Sequence, residues 1–148
     1  MTKLTLGRIL VPTDFSPPSR KALGYAAELA RVFGGVLILL HVIDRRVVEN
    51  IYHIHALPPE AARAEMRRAA EAKLSELLAS ESLVGVSVTT RLVEGIPSVE
   101  IRREAGEGKA DLVVIGSHGA TGLSQLLYGS TAEGVVRGSP CPVLTVNP

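Results

Sequence analysis

The stretch Gly116-Ser-His-Gly-Ala-Thr-Gly-Leu-Ser-Gln-Leu-Leu-Tyr-Gly-Ser-Thr131 holds the residue types from which an anion site is built. Gly116, Gly119 and Gly122 permit tight turning and leave backbone N–H groups open to a ligand, with no Cβ in the way. Gly129-Ser130-Thr131 then opens a helical stretch. A helix N-terminus offers unpaired N–H donors at the positive end of its dipole, and the Ser130 and Thr131 hydroxyls add to them. Such a cradle suits a polyphosphate. A second group, Pro12-Thr13-Asp14, follows the first apolar segment. Asp14 can accept from ribose hydroxyls or ligate a divalent cation carried by phosphates. There is neither a GxxxxGK(S/T) phosphate loop nor a GxGxxG after the first apolar segment.

The cradle lacks fixed cations. No Lys or Arg lies between Ala110 and Val136. Fast phosphoryl transfer needs positive charge on the transferring group and a group that orients the nucleophile. The expectation is therefore a site that binds, hydrolyses slowly at most, and uses the nucleotide as a signal. His118 is the one conspicuous titratable side chain there. It could touch a phosphate; an exposed loop residue is the plainer reading and the preferred one. Ser117 lies in no GxSxG nucleophile elbow. His53 and His55 could point the same way on an extended segment, but no third metal ligand has an obvious spacing, and surface histidines are expected. Cys141, between two prolines, reads as a buried inert thiol.

Five apolar segments must position these residues: Ile9–Val11, Val36–Ile43, Val86–Val93, Leu112–Ile115 and Val143–Val146. Four are nearly continuous β-branched or Leu runs, as in strands covered on both faces. The third alternates, with Val86, Val88 and Leu92 against Ser87, Thr89 and Arg91, so it belongs at a sheet edge. Helical patterns fill the gaps. Ser16 is an N-cap with Pro17 in the first turn, Leu23, Ala26, Ala27, Ala30 and Phe33 share a face, and Gly34-Gly35 ends that helix. A second helix starts near Pro59, a third runs from Pro97 to about Ala105, and a fourth includes Val135 and Val136. The segment 44–59 has no clear period and reads as a long, mobile connection. Alternating strands and helices imply a three-layer α/β fold around a mainly parallel five-stranded sheet. With right-handed crossovers and strand three at an edge, the order is 3-2-1-4-5. Ligands in such sheets bind past the carboxyl ends of the strands where the order reverses. That point lies between strands one and four, so Pro12-Thr13-Asp14 meets Gly116-Ser117-His118-Gly119.

Gly116-x-x-Gly119, nine residues, then Gly129-Ser130 resembles the G-2x-G-9x-G(S/T) motif of the ATP-binding branch of the universal stress protein family. Ile9-Leu-Val-Pro-Thr-Asp14, Ala110 to Gly119 and Ser139-Pro-Cys-Pro-Val-Leu144 resemble that family's first, fourth and last strands. The resemblance covers essentially the whole chain. It implies a Rossmann-like or flavodoxin-like fold of the adenine nucleotide alpha hydrolase kind, read as a single domain over 1–148. It implies ATP, or AMP or ADP, with Mg2+. Asp14 would lie at the ribose or metal, and Val42 would meet the adenine partly through its backbone. Gly116, Gly119, Gly129, Ser130 and Thr131 would hold the phosphates. It also implies a homodimer whose terminal strands, Val143–Val146, pair, which would cover an apolar edge.

Composition narrows the field. The 148 residues carry 16 basic and 15 acidic side chains, a net charge of +1, and only 3% aromatics. That balance gives no electrostatic footprint for nucleic acid or an anionic membrane. The N-terminus lacks a signal-peptide pattern, no apolar run approaches the ~20 residues of a membrane span, and the one cysteine can form no internal disulfide. A soluble, cytoplasmic protein is expected. Two other classes stay open: a nucleotide-independent dimeric scaffold, against which the intact glycine spacing argues, and an adenylyl-chemistry enzyme, for which no second pocket or general base is visible.

Overall fold

A computed structural model of the chain describes residues 3–118 and 129–148. The strands β1 (Arg8–Pro12), β2 (Val36–Asp44), β3 (Val88–Gly95), β4 (Leu112–Gly116) and β5 (Val143–Val146) form one parallel sheet in the order β3-β2-β1-β4-β5. This is the expected order. The helices are α1 (Pro17–Phe33), α2 (Arg45–His55), α3 (Pro59–Leu78), α4 (Pro97–Glu107) and α5 (Ser130–Gly138).

The strand period of two divides the core. Ile9, Val11, Leu37 and Leu39 point to one face, where Leu23, Ala26, Ala27 and Ala30 of α1 and Leu74 and Leu77 of α3 cover them. Leu10, Ile38, Leu40, Val113 and Ile115 point to the other, against Ile101 and Ala105 of α4 and Val135 of α5. Alanine along the buried stripe of α1 brings that helix close to the sheet.

Local signals explain the boundaries. The Ser16 side chain accepts from the Ser19 amide at the start of α1, and Gly34 ends the helix at φ 70°, a left-handed conformation that costs glycine little. Phe33 at the end of the predicted stripe is exposed, as are Leu78 on α3 and Val136 on α5. Strand β3 has one neighbour, β2, as its alternation predicts. Its polar face is not bare, because Arg91 Nη2 reaches Glu104 Oε1 of α4 at 2.9 Å.

The segment expected to be a mobile connection contains α2. The Asp44 side chain accepts from the Arg46 amide and caps the helix. Val48 is buried and Ile51 half-buried against Ile43, Ala62 and Met66. The helix stops at Ala56, φ 53°. Only a narrow stripe of it is buried, so the periodicity is faint in the sequence. His53 and His55 lie in its last turn. Two residues apart on a helix, they do not face one another, and no group of three metal-ligating side chains occurs among the described residues. Cys141 is half-buried, not buried. No helix among the described residues is long and apolar enough to cross a membrane.

Candidate functional site

Past the carboxyl ends of β1, β2 and β4, beside the start of α5, lies a cavity of about 430 Å³. Pro12, Thr13, Asp14, Val42, Gly116, Ser117, His118, Gly129, Ser130 and Thr131 all line it. The reversal of strand order thus brings the described members of the expected site together. Gly119 and Gly122 lie outside the described residues.

The turn after β1 is tightly held. The Thr13 amide donates to the Leu40 carbonyl at 2.8 Å, and its hydroxyl accepts from the Phe15 amide at 3.0 Å. Asp14 Oδ1 accepts from the Ser16 amide at 3.0 Å and from the Ser16 hydroxyl. Phe15 has φ 65°, a conformation that costs a bulky residue about 1–3 kcal/mol and persists only where its surroundings enforce it. They do so here. The His41 ring lies against Phe15 with centroids 4.6 Å apart, Lys73 Nζ is 5.3 Å from the Phe15 centroid, and Arg20 Nε donates to the Phe15 carbonyl. Asp14 itself is exposed.

His41 Nδ1 lies 2.7 Å from the Thr13 carbonyl oxygen. A carbonyl carries no proton, so Nδ1 donates. Burial pushes the His41 imidazole below its ordinary value of 6.5; the Thr13 bond and the Asp14 charge pull the other way, and Lys73 acts with burial. Burial wins, because a half-enclosed ring loses more hydration as a cation than these partners return.

The end of β4 is fixed through the backbone. The Ser117 amide donates to the Val146 carbonyl at 3.0 Å, and the Ser117 carbonyl accepts from the Gly129 amide at 2.8 Å. The Gly129 amide is therefore committed within the protein. A Cβ on Gly116 would stand 3.1 Å from the backbone of Pro18, so this glycine also lets α1 approach β4. His118 is 9% exposed, and its Nδ1 is 2.8 Å from the Ser117 hydroxyl, which is fully buried. This corrects the expectation of an exposed loop histidine: the turn folds the ring back onto its neighbour.

Gly129 caps α5 and brings no side chain of its own to the helix's first turn. By helix geometry its first N–H groups lack intrahelical acceptors, and they open beside the Ser130 and Thr131 hydroxyls in the cavity wall.

Val42, Val47, Met66, Pro97 and Ile101 give the cavity its apolar lining. Asp44 and Arg46 also line it, joined by two hydrogen bonds of 2.9 and 2.6 Å. The Arg46 hydrogen bonds hold the Asp44 carboxyl below its ordinary value. Arg46 is the lining cation among the described residues, and the sequence reading had missed it. The available signal was Asp44 two residues before Arg46, an N-cap spacing.

Residues 5–147 match the universal stress protein family. The chain is 33% identical to universal stress protein MJ0577 of Methanocaldococcus jannaschii, with 94% of this chain and 93% of the relative covered. It is 32% identical to MJ0531 of the same organism, over 94% of this chain and 81% of that one. The solved structure of MJ0577 superposes with a TM-score of 0.84 at 32% identity, over 96% of each chain. A universal stress protein crystallised in complex with cAMP superposes at 0.61 with 26% identity, over 97% of this chain and 98% of that one. The chain belongs to the universal stress protein family.

Proposed function

We propose that this protein binds an adenine nucleotide, ATP with Mg2+ in the first place, in the cavity between β1, β2, β4 and α5, and that nucleotide occupancy regulates its part in the stress response. The observation that carries this reading is the convergence of two separate loops on one cavity lined by both polar and apolar residues. Its volume of about 430 Å³ lies within the ~300–1,000 Å³ of small-molecule sites. The apolar walls suit a purine, with the Val42 region of β2 at its edge. Asp14 suits the ribose hydroxyls. The first turn of α5, with Ser130 and Thr131, suits phosphate oxygens. The cAMP complex of a related family member supports the ligand class.

A divalent cation fits only as a companion of the phosphates. Asp14 can offer one carboxylate, and Mg2+ keeps several waters and takes its other ligands from phosphates in such sites. Arg46 is engaged by Asp44, and the other described groups suited to phosphate are amides and hydroxyls. This favours holding ATP over consuming it. The same reading takes the chain as a single cytoplasmic domain that pairs through β5, whose outer edge leaves Leu144 exposed.

The test is calorimetric and thermal titration with ATP, ADP, AMP and cAMP in the presence of Mg2+. Saturable binding is expected, with stabilisation of about 2.7 kcal/mol at a hundredfold excess over Kd. No thermal shift with any of the four would sink the proposal, and ATP turnover well above ~1 per second would sink its regulatory half.

A further inference from the structure

We infer that His41 is a positioning residue for the nucleotide site: from β2 it clamps the Thr13–Phe15 turn and so sets where the Asp14 carboxylate stands. This rests on the nucleotide-binding reading above and adds a residue to it that the glycine motif does not contain.

The clamp has two jaws. The paired register of β1 and β2 ends at Pro12 and Leu40, and one further backbone bond, from the Thr13 amide to the Leu40 carbonyl, closes the ladder. In a parallel ladder the next rung would run from the Val42 amide to the Thr13 carbonyl. The His41 ring takes that carbonyl, at 2.7 Å. Adjacent residues of β2 therefore hold Thr13 by its amide and by its carbonyl. The second jaw is the ring face, which packs on Phe15. Phe15 is the left-handed residue of the turn, and its conformation makes the chain double back so that Ser16 can donate to Asp14. With the ring gone, the Thr13 carbonyl loses its donor and Phe15 loses one of the surfaces that enforce its positive φ. Asp14 stands between the two gripped residues, so its position follows theirs. Two charged groups act on the ring: Asp14 from the turn and Lys73 from α3. The role assigned here is a hydrogen bond and a packing contact, both made by the neutral ring.

Three substitutions separate this role from general stability. His41→Asn places an amide donor near the position of Nδ1. His41→Gln keeps size and polarity but carries its donor farther out, near Nε2. His41→Leu keeps volume alone. ATP affinity with Mg2+ should fall about tenfold in His41→Leu and His41→Gln, the scale of one well-made hydrogen bond, and His41→Asn should stay within about threefold of the parent. In the ligand-free protein, amide hydrogen exchange at Phe15 and Ser16 should speed up in the Leu and Gln variants and not in Asn, while exchange in β4 is unchanged. If Leu does not fold, the Asn–Gln pair decides alone. Equal affinities and equal exchange across the variants overturn the inference. So does Asn as weak as Gln, since that leaves only ring packing. If the parent protein binds no ATP, the nucleotide-binding reading fails, and the exchange arm still decides whether His41 holds the turn.

Discussion

At the β1–β4 end of the cavity main-chain bonds form the frame and side chains add to it at the Thr13–Phe15 turn, whereas at the α2 end the visible restraint is a side-chain pair. Thr13, Ser117 and Gly129 are each held by a main-chain bond of 2.8–3.0 Å, and a Cβ on Gly116 would press on the Pro18 backbone at 3.1 Å. The far rim is an exposed Asp44–Arg46 pair on the first turn of a helix with a single buried residue. The difference separates a frame, which must hold its shape with or without ligand, from a wall that can change without disturbing the sheet. It also predicts where substitutions cost stability and where they cost only affinity.

The strongest way to break the contrast is at the frame. Gly116→Val should destabilise the protein by about 1–3 kcal/mol, the range for overpacked sites. Urea unfolding reads this directly, and an unchanged midpoint would mean that the contact with Pro18 is not rigid. Next comes Asp14→Asn, which keeps the acceptor for Ser16 but removes the charge. Nucleotide affinity should fall about tenfold, the difference between a charged and a neutral hydrogen bond, with little change in melting temperature. Equal affinity in calorimetry would remove Asp14 from the ligand.

A smaller effect should appear in the pH profile. Burial lowers the His41 pKa from 6.5, so below that value the unfolded chain binds a proton that the folded chain resists. The contribution of the neutral ring to stability is fully present above pH 6.5 and is lost as the pH falls through 6.5 towards the folded value. Stability of the parent minus that of His41→Asn should therefore decline on acidification across this window. A flat difference in parallel denaturant titrations would contradict the burial. The smallest effect is expected at the wall. Arg46→Ala should alter ATP affinity by less than about threefold, as for other exposed ion pairs. A tenfold loss would show that Arg46 leaves Asp44 to meet the phosphates, and would erase the contrast.

The same contrast explains what could be read in advance. Continuous apolar runs and the alternation of β3 are properties of the sheet, so strand order and the meeting of Asp14 with Gly116 followed from patterning. The wall was harder. Helix α2 buries Val48 and part of Ile51, too few residues to mark a period, and ends on alanine where glycine would have been a signal. Arg46 and Val47 entered the cavity with it unannounced. His118 was misplaced for a different reason: a turn residue between glycines looks exposed, and the bond that buries it, to the adjacent Ser117 hydroxyl, leaves no trace in spacing. His41 was hidden inside a strand, where one polar residue among apolar neighbours attracts no notice.

Ser117 also has a consequence for how the protein responds as a whole. Its amide hangs from the last carbonyl of β5 and its carbonyl carries the cap of α5, so one peptide unit on each side splices the outermost strand to the helix beside the cavity. The sheet margin and the ligand chamber are thus neighbours in connectivity although they are separate in space. Anything that stiffens or frays that margin should register at α5 as a change in the lifetime of a single proton, the one on Gly129.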